Sequence, residues 1–556
     1  MKKIYWAFFA LTLAAGFAAQ AQDVYVPYNR DVYHWIDRYQ IKYGDQVPSL
    51  QTAVRPYGRQ DVADLAEISA RNARTPVDEF NTTYLLNDNW NYTTQENNDA
   101  RPILKYFYRN HTDLYHYESD VFSLRVNPVL HFEVGLENQS EGIRYVNTRG
   151  VQIEGSIDER FGFYTFIGEN QVRYPEYVVD RIRRDGVVPH EGFWKDFKED
   201  GYDFFTARGY LNYALSKHVE IQLGHDRHFI GDGYRSLALS DYAPPAFFLK
   251  LNTRVWKLHY MNLFQELVSE FRRGGGDKLL PKKYMALHRL GVNVTDNLNI
   301  GVFEQVVFAR EKGRFELQYL NPVIFYRAIE HALGSEDNAM LGADFRWNIY
   351  NRLQVYGQLQ LDEFLLKEVK ARNGWWANKQ AGQIGAKYID AFGLNNLDLQ
   401  GEVNIIRPYT YQHRSSTTNY QHYRQPLAHP MGANLAEFVG IVYYQPIPRL
   451  MLTGKAIATR FGQDVIANGD TLNYGGNVLL PYTTRVSDYG NEIGQGITTN
   501  QVHLDFTATY QLRHNMFLDL KGIYRRADAE DNTFDQNTTF ASFAFRWNIP
   551  QRLHEF

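Results

Sequence analysis

The chain has no cysteine in 556 residues, so neither a disulfide framework nor a lipid-modified cysteine can hold it together or anchor it. It also lacks a dominant charge sign. The 59 Lys and Arg against 63 Asp and Glu give −4, and loss of Lys2 and Lys3 with the N-terminal segment would take −4 to −6, a weak balance that argues against nucleic acid as a main partner. Long apolar runs are missing too. Apart from Ile4–Ala19, no stretch approaches the roughly 18 apolar residues of a spanning helix. That one run follows a basic Lys2-Lys3 and precedes the small-x-small signal Ala19, Gln20, Ala21, which reads as a secretory signal peptide cleaved near Gln22.

What is abundant is aromatic: 40 Tyr, 35 Phe and 9 Trp, with a mean hydropathy of −0.46 and only 19 Pro. An exported chain that is rich in aromatics yet polar on average suits a transmembrane β-barrel, in which only alternate residues meet lipid. A soluble β-sandwich or sugar hydrolase has a similar composition, so periodicity has to decide. Before about residue 120 the period is helical: Val32, Trp35, Ile36 and Tyr39 share one face, and Val62, Leu65, Ala66 and Ser69 another. From Phe122 it becomes two, with Phe122, Leu124, Val126, Pro128, Leu130, Phe132, Val134 and Leu136 on one side of the strand.

Similar segments recur at 147–157, 160–168, 204–214, 218–226, 246–251, 255–265, 285–294, 298–309, 339–349, 353–362, 379–391, 396–406, 435–444, 450–459, 501–511, 516–524 and 540–549, eighteen in all. The weaker segments 246–251 and 435–444 leave sixteen open. Connections alternate between short turns, such as 215–217, 252–254 and 350–352, and long loops, notably 169–202, 266–284, 310–338, 407–434 and 460–500. Outer-membrane barrels segregate periplasmic turns from extracellular loops in this way.

The expected fold is therefore an all-β transmembrane barrel of about 18 antiparallel strands, or 16, with a small N-terminal periplasmic helical segment. Residues 1–21 are read as signal peptide, 22–120 as the helical segment and 121–556 as barrel, with both chain ends periplasmic. "FRWNI" at 345–349 and 545–549 places Phe345, Trp347 and Ile349, and Phe545, Trp547 and Ile549, towards lipid near an aromatic girdle. Phe556 falls outside the last strand's alternation, beyond Pro550.

"GHDRHFIGDGYRSLALSDYAPP" (224–245) gathers His225, Asp226, His228, Asp232 and Asp241, and parity puts it in an extracellular loop. Only Asp226 and His228 share the lumen face, too few for a metal site. His228, Ser236, Ser240 and Asp241 offer hydrolase groups without a third residue to orient a base. The reading is non-enzymatic, with no metal and no cofactor: a loop folded into the barrel and held by its charges. The lumen positions Arg125, His131, Glu133, Glu154, Glu220, Asp344, Arg346, Asp362, Glu402, Asp505, Lys521 and Arg546 mix both signs, which suits a filled interior. "NGWWANKQ" with Trp375 and Trp376, and the loop 407–434 with Tyr409, Tyr411, Tyr420, Tyr423 and Arg424, set flat rings among amides and guanidinium groups. That mixture fits sugar rings, and equally fits girdle and loop packing. The candidate ligand-binding residues are these seven with Asp226, His228, Asp232, Arg235 and Asp241. "NPVIFYRAIEHALGS" (321–335) reads as a helix that could lie over the mouth.

"GHDRHFIGDGYRSLALSDYAPP", "NPVIFYRAIEHALGSEDNAMLGADF", "QPLAHPMGAN" and "DVYHWIDRYQIKYG…AVRPYGRQDVADLA", in this order, resemble the capsule assembly Wzi family, in particular its branch with RemB-like gliding-motility proteins. The resemblance implies an eighteen-stranded outer-membrane barrel with periplasmic helices and loops closing the lumen, acting as a non-enzymatic lectin for surface polysaccharide. Its partners would be outer-membrane lipid, that polysaccharide and capsule-export or motility and secretion proteins. A porin-like diffusion channel is the other reading that a barrel allows.

Overall fold

The period-two segments fold as one antiparallel meander that closes on itself. A computed structural model describes residues 24–556 except 29–30, 95–102, 104–105, 159, 271–278, 324 and 335–336, so the signal-peptide segment 1–21 lies outside the described residues. The barrel strands are β1 (Phe122–Glu137), β2 (Arg144–Ile157), β3 (Phe161–Arg173), β4 (Gly201–Ser216), β5 (Val219–Asp226), β6 (Ala246–Val255), β7 (Leu258–Val268), β8 (Lys282–Thr295) and β9 (Leu298–Phe308). They continue as β10 (Asn338–Ile349), β11 (Leu353–Glu363), β12 (Lys379–Tyr388), β13 (Leu397–Ile406), β14 (Leu435–Ile447), β15 (Leu450–Gln463), β16 (Ile497–Arg513), β17 (Met516–Ala529) and β18 (Gln536–Trp547). Each pairs with its neighbours in sequence, and β18 closes on β1 with Phe540 opposite Glu137 and Trp547 opposite Leu130. Closure leaves no strand edge unpaired. The count is eighteen, and both weak segments are complete strands.

One end of the barrel carries short turns and the other the long loops, as the spacing requires. The turn expected at 252–254 is Trp256–Lys257 instead, because β6 runs on to Val255. Along β1, Phe132, Val134 and Leu136 are exposed on the outer face while Val129 and His131 are buried inside. Trp347 is exposed as the girdle pattern predicts. Ile549 is a correction: β18 ends at Trp547, and Ile549 turns inward into the main core.

The interior is largely filled with protein. The N-terminal segment forms three helices, α1 (Val32–Tyr43), α2 (Arg59–Arg71) and α3 (Pro76–Asp88), wedged into the turn end. The third was not foreseen. Its start is conventional, with the Thr75 hydroxyl accepting the Asp78 N–H and Pro76 in the first turn, but its apolar residues do not fall on one stripe. Arg38 binds Asp390 at 2.5 Å, Lys387 reaches Asp37 at 2.8 Å, and the wholly buried Arg59 joins Asp88 (3.1 Å) to Glu154 of β2 (3.0 Å). Val54–Arg55 pairs with Phe229–Ile230, so the N-terminal segment meets the β5–β6 connection inside the lumen.

After β18 the chain reverses and climbs the lumen. Leu553 accepts from His190 (2.9 Å), Glu555 pairs with Lys455 (2.7 Å), and Phe556 lies under the Arg181 guanidinium at 5.0 Å and beside Tyr177 and Tyr242. Phe556 is therefore buried within the barrel, and the chain does not end at the turn end as expected. The wall charges pair as their mixed signs suggest: Arg125 with Glu154 (2.9 Å), Lys521 with Asp505 (3.1 Å) and Arg289 with Asp344 (2.8 Å).

Candidate functional site at the loop end

Three loop-end connections are laced together. In the β11–β12 connection, the Trp376 N–H donates to Asp488 O (2.9 Å), and Gly374 O accepts from the Asn491 backbone (2.9 Å) in the β15–β16 connection. The β13–β14 connection joins them: the Tyr482 N–H donates to His413 O at 3.1 Å, the Gln412 and Asn473 amides pair at 3.1 Å, and Asn419 Nδ2 donates to Val478 and Leu480 carbonyls at 2.8 Å. On this frame sits a partly buried aromatic ledge. Trp376 lies 4.6 Å from Tyr482 and 6.1 Å from Trp375, and the Arg485 guanidinium stacks 4.2 Å over Trp376 while binding Asp488 at 2.6 Å. Ring faces beside a guanidinium and a carboxylate can stack on apolar C–H faces and bond hydroxyl or carboxylate groups around them. Tyr482 and Arg485 were not singled out in the sequence, although "PYTTRVSDYG" (481–490) carries the same aromatic and charged mixture as the loops that were.

The structure divides the sequence candidates. His225 faces outward and Asp226 inward, where it lies 3.8 Å from Arg208. His228 packs its ring on Phe248 at 4.4 Å, Asp232 accepts from Thr52, and the carbonyl of Asp241 faces His190 at 3.4 Å. Arg235 binds Glu437 through two nitrogens (3.0 and 3.2 Å) and donates to Glu555 O at 2.9 Å, with His429 on the same Glu437 at 2.9 Å. The stretch is thus an inserted segment held by its charges, with its five candidate groups spread over separate partners. Among the described residues, no group of three or more His, Asp or Glu side chains could hold a metal ion.

Tyr409, Tyr411 and Tyr420 are buried and pack in the interior. Tyr411 and Tyr420 stack at 5.7 Å, and their hydroxyls donate to Leu237 and Ala238 carbonyls at 2.8 Å, which ties the 407–434 loop to the inserted stretch. Tyr409 donates to Asn473 O at 3.1 Å. Tyr409 and Tyr411 hold φ of 66° and 72°, a backbone region that non-glycine residues occupy only when the surroundings fix it. Tyr423 and Arg424 are half-buried, Arg424 donating to Asp185 O at 2.8 Å, and stand away from the ledge. Of the sequence candidates, Trp375 and Trp376 form the ledge.

Burial sets two proton affinities in these loops. It holds His413 at about 4, aided by the nearby Lys379, and pushes the Asp464 carboxyl up to about 6 despite a hydrogen bond from the Tyr474 N–H. The interior includes separate cavities of about 220, 110 and 40 Å³. Leu553 and Tyr234 line both of the larger two, and Glu555 lines the smaller two.

No family model matches the chain, and no curated protein matches it. Among solved structures it is similar to Wzi, described as an outer membrane protein involved in group 1 capsule assembly in Escherichia coli and a carbohydrate-binding β-barrel: 11% identity and a TM-score of 0.56 over 96% of this chain and 100% of that one. It also matches Pseudomonas aeruginosa OprD (12% identity, TM-score 0.40, 76% of this chain and 94% of that one) and Acinetobacter baumannii OccAB2 (9%, 0.41, 78% and 99%). The likeness to Wzi is one of fold, that of a closed outer-membrane-type barrel. The RemB-like branch has no support beyond the motifs quoted above.

Proposed function

We propose that the chain is a non-enzymatic outer-membrane barrel of the Gram-negative type that binds surface polysaccharide at its loop end. In this reading the loop end is extracellular, the N-terminal helices sit on the periplasmic side after removal of residues 1–21, and membrane lipid surrounds the wall. The observation that carries it is the ledge of Trp375, Trp376, Tyr482 and Arg485, held by three laced loops above a lumen filled with protein. A fixed platform of partly exposed rings over a filled lumen suits capture better than passage. The carbohydrate binding named for Wzi, a barrel of the same fold, supports the same class of ligand. Service to a capsule-export or a motility and secretion apparatus would be a use of that binding.

The test is direct binding of purified protein to immobilised acidic and neutral bacterial polysaccharides, beside a Trp376→Ala, Arg485→Ala variant. Loss of a central aromatic or arginine anchor costs about 2 kcal/mol or more, roughly 30-fold in affinity. Failure of the wild type to bind any of them, or equal binding by the variant, overturns the proposal.

A further inference from the structure

The β9–β10 connection (309–337) departs from the loop-end cluster. On β9 the outward positions Ile300 and Val302 are open, Val302 at 51% exposure, but the next, Glu304, is 4% exposed, and Val306 and Phe308 are buried as well. Glu304 is opposite His288 on β8, and His288 is opposite Asn262 on β7, so a row of three polar side chains lies on the outer wall. Uncovered, such a row would face hydrocarbon at a cost of several kcal/mol.

The 309–337 connection covers it. It folds back over the outside of the barrel and places helix α5 (Tyr326–Leu333), counting α4 as Glu176–Asp185 in the β3–β4 connection, across the row. The Glu304 carboxylate accepts the Tyr326 and Arg327 N–H groups at 2.7 and 2.9 Å, which caps the helix, and lies 3.2 Å from His288. The Tyr326 ring stacks on His288 at 4.4 Å, the Tyr260 hydroxyl bonds both His288 and Pro322 O, and Tyr319 packs on Phe308 at 4.7 Å. The inner face of the connection is thus tied to the wall. Its other face bares Leu317, Leu320, Val323 at 80% and Phe325 at 68% exposure, and on the wall beside it Ile300, Val302 and Leu341 are exposed as well.

We propose that this connection is a membrane-interface flap whose outward apolar face binds the acyl chains of the surrounding lipid at the headgroup boundary. It rests on the reading of the barrel as membrane-spanning. The flap covers the loop-end half of β9 and, through Pro322 O, reaches the Tyr260 hydroxyl on β7; its irregular backbone is held against the wall and suits the interface rather than the hydrocarbon centre. An apolar face beside the outward apolar positions of the wall fits acyl chains.

The cysteine-free chain makes the test clean. Single cysteines at Val323, at Val302 on the open wall and at Tyr489 in the β15–β16 connection would carry an environment-sensitive fluorophore, with the purified protein in phosphatidylcholine vesicles containing spin-labelled acyl chains. The expected result is quenching at Val323 by labels placed near the headgroup, at Val302 by labels deeper in the chain, and none at Tyr489. Quenching at Val302 but not Val323 overturns the flap. No quenching at either defeats the membrane-spanning reading beneath it. Quenching at Val323 in vesicles combined with protection from lipid labels in native membranes assigns the face to a protein partner and also overturns the proposal.

Discussion

At the scale of single residues, Arg235 tests how the lumen is held. Its guanidinium faces Glu437 and Glu555, both buried, and its own backbone N–H donates to a third carboxylate, Glu402, at 3.0 Å. Removing one partner of such a buried network leaves charge uncompensated and costs about 3–5 kcal/mol. Arg235→Ala is expected to lower the denaturant midpoint by that order, whereas Trp376→Ala on the partly exposed ledge should leave the midpoint nearly unchanged while losing polysaccharide binding. An Arg235→Ala barrel as stable as wild type would show that the inserted stretch is held by its apolar residues alone. The sequence displayed the charged character of this stretch and its place between two strands. It could not display the partners, because Glu437 and Glu555 are 202 and 320 residues away and only closure of the barrel brings them together.

At the scale of elements, two neighbouring loops should respond to acid in opposite directions. Burial holds His413 at about 4 and His422 at about 3 in the β13–β14 connection, and His422 uses its unprotonated Nδ1 to accept the Val268 N–H at 2.9 Å. A histidine with a depressed folded-state value binds fewer protons folded than unfolded, so its loop loses stability as pH falls below the ordinary 6.5 towards those values. Asp464 has a raised value of about 6 against an ordinary 3.8, so its surroundings lose stability as pH rises through that window. Hydrogen-exchange protection measured on either side of the window should therefore fall around 413–422 on acidification and rise around 464–474; parallel changes would contradict both assignments. Element existence was legible from periodicity wherever one face was apolar and the other polar. The helix α3 escaped because it is buried on more than one side. The helix at 326–333 was expected over the mouth and lies on the wall, although Asn262, His288 and Glu304 occupy the outward phase of three adjacent strands and so already marked where a cover was needed.

At the scale of the molecule, strand number and the separation of turns from loops were readable because both depend on local spacing, while the way the lumen is filled was not, because it depends on contacts across the whole chain. The filled interior predicts that wild-type protein gives no stepwise conductance in planar bilayers. Deleting 227–245 should open a path, whereas deleting 321–335, whose described residues pack on the outer wall, should not; conductance from the wild type would return the channel reading to first place. The climbing segment 548–556 has a further bearing, on the order of events in assembly. A sealed cylinder offers no side entrance, and Glu555 ends up between Lys455 of β15 and the adjacent Tyr234 and Arg235 of the inserted stretch. Residues 548–556 therefore reach their place either along the barrel axis from the turn end or before β18 zips to β1, and a barrel whose seam is closed by a cross-link before the tail docks would tell the two routes apart.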